Sequence, residues 1–152
     1  MNIVAMQKSA ENLKIRLSLV GDAVIDTPAP AGGKLSASDL KVMYRVTVEV
    51  NRPLSQVKVN VTLSYLSGHN TIFSGSLATT FDVVDLALYI TEQEGEDEFR
   101  IESDFLPMLI SIAFSTTRGY FVRELQGTAL APYPFPMVSM DSIQKRVAYQ
   151  LR

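Results

Sequence analysis

An α+β fold is what the sequence predicts: a four-stranded antiparallel sheet with one long helix and a shorter C-terminal helix packed on one face. Three observations carry it. Hydrophobic residues alternate strictly between Val42 and Tyr65, turn residues link those runs closely, and an apolar run from Phe105 to Phe114 is dense enough for a buried helix.

Ile15, Leu17 and Leu19 alternate with Lys14, Arg16 and Ser18, the period of two that gives a strand one dry face, and predict a first strand over 13–21. Asp26 to Ser38 holds Pro28, Pro30, Gly32 and Gly33 and reads as a loop. Val42, Tyr44, Val46, Val48 and Val50 then face one way, with Met43, Arg45, Thr47 and Glu49 facing the other. After a break at Asn51 to Ser55, the same pattern runs through Val57, Val59, Val61, Leu63 and Tyr65, so the two strands form a hairpin. Ser67-Gly68-His69-Asn70 supplies a second turn, and Ile72 to Val83 a fourth strand.

Glu92 to Glu98 places five acids around Gly95 and is expected to be a solvated loop. Ser103 and Asp104 can cap a helix, Pro107 suits its first turn and Gly119 its stop, which predicts a helix over 103–119. Its apolar residues cover more than one stripe, which implies burial on two sides, one against the sheet and one against a partner. Pro132, Pro134 and Pro136 force an extended crossover. Asp141 can start a last helix over 141–152, with Ile143, Val147, Ala148 and Leu151 at helical spacing. Residues 1–152 read as one domain.

Composition narrows the function. The chain has 152 residues, 47% of them hydrophobic, enough for a core without staples. Its 14 basic and 16 acidic residues give a net charge of -2, which supplies no basic field for nucleic acid. Cysteine is absent, removing disulfides, thiolate nucleophiles and thiolate metal sites. No signal core is visible in Met1 to Glu11, and no run approaches the roughly 20 apolar residues of a membrane span. The expected setting is cytoplasmic, without cofactor or metal.

Catalytic readings find little to stand on. His69 is the one imidazole and lies in a turn. The acids of Glu92 to Glu98 lack the ligand spacing of a calcium loop. Ser103 and Asp104 are explained by capping, and neither a nucleophile elbow nor a phosphate-binding glycine loop is present. The chain is therefore expected not to be an enzyme; catalysis by paired carboxylates is the remaining rival.

The run Leu106-Pro107-Met108-Leu109-Ile110-Ser111-Ile112-Ala113-Phe114-Ser115-Thr116-Thr117-Arg118-Gly119-Tyr120-Phe121 resembles the SecB family of export chaperones, whose proline-containing helix ends in a small-residue, Arg-Gly, aromatic signature. Phe135-Pro136-Met137-Val138-Ser139-Met140-Asp141-Ser142-Ile143 is similar to that family's crossover into its last helix. The resemblance covers residues 12–152. It implies an ATP-independent holdase that keeps unfolded polypeptide in apolar grooves, for export with the SecA motor or for a dedicated client such as an antitoxin. It further implies a homotetramer, a dimer of dimers, with Leu106, Leu109, Ile110 and Ala113 at an oligomer contact. Phe114, Tyr120, Phe121, Tyr133, Phe135 and Met137 are the candidate client-binding residues, because aromatic and thioether groups give large contact area without demanding one partner shape. A non-catalytic scaffold binding a folded partner on the same fold is the alternative.

Overall fold

The computed structural model describes residues 13–19, 37–92, 99–101, 105–145 and 147–151. Among the described residues, seven strands and two α-helices follow in chain order: β1 Leu13–Leu19, β2 Leu40–Asn51, β3 Gln56–Ser67, β4 Asn70–Val83, β5 Ile90–Glu92, β6 Phe99–Ile101, α1 Phe105–Glu124, α2 Met140–Gln144 and β7 Val147–Leu151. The main sheet has five strands, ordered β1-β4-β3-β2-β7. All its pairings are antiparallel except β2 with β7, which is parallel.

The hairpin of β2 and β3 forms because its valines share one face. Val46, Val48 and Val50 stand opposite Val61, Val59 and Val57, and all six are fully buried; a slip of one residue would turn every one of them to solvent. The connection is held by the Asn51 side chain, whose Oδ1 accepts from the Leu54 amide at 3.2 Å, and by Ser55 in a left-handed conformation, φ 51°. Between β3 and β4 the turn needs Gly68 at φ 62°, with His69 exposed beside it. The opposite face of the sheet is polar and internally bonded: Thr62 to Ser76 at 2.6 Å, Ser64 to Ser74 at 3.0 Å, and Gln56 Nε2 donating to Asp82 at 2.8 Å.

Helix α1 lies on the valine face, across β3 and β4. Phe105, Leu106, Leu109, Ile110, Ala113, Phe114, Thr117 and Phe121 are buried at spacings of three and four, so adjacent apolar pairs widen one face rather than making a second. In the single chain the other side of the helix carries exposed Ser111, Ser115 and Gly119. Gly119 does not stop the helix, because Phe121 and then Leu125 continue the buried stripe past it. The turn comes afterwards, at Gly127 with φ 79°. Its 20 residues also meet a membrane span in length and composition, contrary to the sequence reading, although its buried face lies on the sheet. The proposed cap at Ser103 and Asp104 falls outside the described residues.

The sheet differs from expectation in strand number and in its last element. Instead of a helix over 141–152, α2 spans five residues, capped by Ser139, whose hydroxyl accepts from the Ser142 amide at 3.3 Å. Val147–Leu151 then adds a fifth strand along β2. Val147, Tyr149 and Leu151 alternate as readily as Val147 and Leu151 match a helical turn, and the edge of β2 decides between the two patterns. A two-stranded ribbon, β5 with β6, flanks the acidic segment, whose residues 93–98 lie outside the described set, as do residues 26–36 of the expected loop. Tyr89, just before β5, stacks on Phe105 at 4.4 Å and 12°, tying this ribbon to the start of α1.

One core residue is mismatched. Thr79 is fully buried, and among the described residues its hydroxyl has no hydrogen-bond partner. Thr79→Val keeps the shape and removes the unsatisfied group, so it should raise stability by about 1 kcal/mol, read as a higher urea midpoint at unchanged slope; a lower midpoint would mean that the hydroxyl is satisfied.

Candidate functional site

The crossover after α1 passes over the N-terminal half of β2 and the C-terminal half of β3. Prolines at 132, 134 and 136 keep it extended and strip it of three amide donors, so side chains from below must hold it. Leu130 and Phe135 are buried as its two apolar anchors. Tyr65, on β3, donates its hydroxyl to the Tyr133 carbonyl at 2.7 Å, and Arg118, on α1, donates Nε–H to the Phe135 carbonyl at 3.1 Å.

Beneath it is an aromatic set. The ring of Phe135 meets Tyr65 edge-on at 5.8 Å and Phe114 at 6.2 Å; Phe114 meets Tyr44 of β2 at 5.6 Å. Tyr65 continues through Phe73 at 6.0 Å to Phe121 at 5.3 Å. The chain of rings therefore runs from the outer part of β2, under the crossover, to the C-terminal half of α1.

The six candidate groove residues divide. Phe114, Phe121 and Phe135 are buried; Tyr120 and Tyr133 are half-buried; Met137 is 85% exposed. Leu106, Leu109, Ile110 and Ala113, expected at an oligomer contact, lie in the chain's own core. Two contributors went unnoticed in the sequence, Tyr44 and Tyr65. Both sat in alternating strand patterns that explained them as ordinary core residues, and only the strand register places them under the crossover.

Beside this set lies the outer edge of β2. Strand β7 covers that edge from Val46 to Val50, and among the described residues no strand pairs with it from Leu40 to Arg45. Val42 is 38% exposed and Met43 56%. Val42 pairs with Tyr65, which holds the crossover, so the edge and the crossover border one site. Lys41 and Arg45 are exposed on the same stretch, opposite neutral Leu66 and Thr62. Among the described residues, no cluster of acids and histidine is suited to hold a metal ion.

No protein-family model matches the chain, and no curated protein does. Among solved structures, a SecB-like chaperone of Mycobacterium tuberculosis, in complex with a peptide from an antitoxin, is similar at 17% identity and a TM-score of 0.48, over 87% of this chain and 95% of that one. A similarity of this degree assigns neither family nor function.

Burial pushes the Tyr65 hydroxyl up from its ordinary 10.0 to about 12, against the opposing pull of the Arg118 charge. The fold thus favours the neutral phenol. That contribution is complete below pH 10 and disappears as pH rises through 12. Tyr65→Phe should cost about 1 kcal/mol at pH 8 for the lost hydrogen bond. Its stability should then fall less steeply than that of the parent protein between pH 10 and 12, as urea midpoints at each pH will show; parallel curves would contradict the assignment.

Proposed function

We propose that this protein is a SecB-like holdase that binds unfolded polypeptide without nucleotide or covalent chemistry. The observation that carries the reading is the adjacency of an open strand edge and an apolar crossover. An extended chain can pair its backbone with Leu40–Arg45 while its side chains meet Val42, Met43 and Met137. Backbone pairing is indifferent to sequence, and methionine adapts to varied side chains. Together these suit a binder of many unfolded segments better than a binder of one folded surface. The motif Arg118-Gly119-Tyr120-Phe121 also acquires a physical role, since Arg118 holds the crossover through the Phe135 carbonyl.

Cytoplasmic residence, assembly as a dimer of dimers, and service either to export or to one client such as an antitoxin belong to the same proposal. A permanently unfolded model protein, reduced and alkylated, provides the test. On its addition, amide hydrogen exchange should slow at Leu40–Arg45 and in the crossover. Slowing confined to another surface, or none at all, would contradict this site.

A further inference from the structure

Resting on that reading, we propose that β7 is a resident competitor for the client site, an internal strand that limits how much of the β2 edge a client can use. β2 has 12 residues. β7 holds the five from Val46 to Val50, and among the described residues no strand pairs with the edge from Leu40 to Arg45. A client strand pairing with the whole edge therefore has to displace it.

Three features make β7 the strand that yields. Its pairing with β2 is the one parallel pairing of the sheet, and parallel ladders are slightly less stable per residue. It is five residues long, against 12 to 14 for the strands inside the sheet. It also hangs from α2, a five-residue helix, too short to persist without its packing, of which Ile143 is the buried part.

Its sequence is that of a client. Val147, Tyr149 and Leu151 alternate with Ala148 and Gln150, and the register sets them against Val46, Val48 and Val50. An unfolded segment with the same alternation makes an equivalent ladder on the same valines. Occupancy by β7 lowers the apparent affinity for such segments in proportion to the time it spends bound: a strand that is released one-tenth of the time weakens client binding about tenfold.

The chain has no cysteine, so a single disulfide can lock the strand. Thr47 and Ala148 are directly paired, and paired positions of adjacent strands fall within the span a disulfide bridges. The protein carrying Thr47→Cys and Ala148→Cys is titrated with the reduced, alkylated model protein in its oxidised form and again after reduction. Because the lock removes the released state altogether, affinity should drop by at least about tenfold on oxidation and recover on reduction. Equal affinities in the two forms overturn the competitor while the holdase reading stands. In the unmodified protein, client addition should also speed amide exchange at Ala148 to Leu151; unchanged exchange there, with slowed exchange at Leu40–Arg45, likewise overturns it. Absence of client binding by the unmodified protein overturns the holdase reading and the competitor with it.

Discussion

Replacing Phe135 with alanine should destabilise the protein by about 3–5 kcal/mol, the usual cost of emptying a buried phenylalanine site. Phe135 is the ring that the crossover inserts between Tyr65 and Phe114, and it is buried although the chain on either side is exposed. The prolines around it provide no amide that could form a replacement ladder. Without the ring, the crossover retains Leu130 and the two bonds from Tyr65 and Arg118. The effect should therefore be twofold: a lower urea midpoint, and faster proteolysis between Ala131 and Met140 under conditions where the sheet remains folded. A loss below about 1 kcal/mol with unchanged proteolysis would mean that the crossover is held elsewhere.

Gly75→Ala should cost about 1–3 kcal/mol through overpacking. Gly75 faces α1 from β4, opposite Leu63, and an added methyl would lie 2.5 Å from Phe121 Cζ, 2.6 Å from its Cε1 and 3.1 Å from Phe73 Cζ. The end of a side chain normally moves aside. Phe121 has little freedom to do so, because it is buried and edge-packed on Phe73 at 5.3 Å and on Tyr120 at 5.3 Å. The glycine is thus a notch for the ring that ends the aromatic chain. A double-mutant cycle with Phe121→Leu tests this: the smaller side chain should absorb part of the methyl, so the double variant should be more stable than the two single costs predict. Strict additivity would place the cost in the strand rather than in the notch.

How much of this was legible depended on whether one local pattern had one structural solution. The alternation through β2 and β3 did, since a period of two with one apolar face fits no helix. The Val147–Leu151 segment did not: Ile143, Val147 and Leu151 fall on one helical side, while Val147, Tyr149 and Leu151 fall on one strand face. What separates them is an open edge on β2, about a hundred residues earlier in the chain. Within one chain, the apolar pairs of α1 share one face. Paired residues such as Leu109 and Ile110 look like two stripes until a broad sheet lies beneath both.

The candidate site was legible in kind rather than in residue roles. The aromatic and methionine candidates lie in and around the crossover, but burial separates Phe114, Phe121 and Phe135 from exposed Met137, and burial is a property of the assembled layers. Tyr65 gains its role from a hydroxyl that meets a carbonyl 68 positions away in sequence. Arg118 was visible only as part of a signature; its bond to the Phe135 carbonyl comes from the chain folding back over α1.

The central claim is that the open edge and the crossover hold unfolded polypeptide. Its most direct test is suppression of aggregation of a chemically denatured model protein on dilution, followed by light scattering, with the mass of the complex measured alongside. The holdase account predicts suppression at near-stoichiometric amounts and a complex that contains both proteins. Aggregation that proceeds unchanged in the presence of a large excess of the folded protein would contradict it.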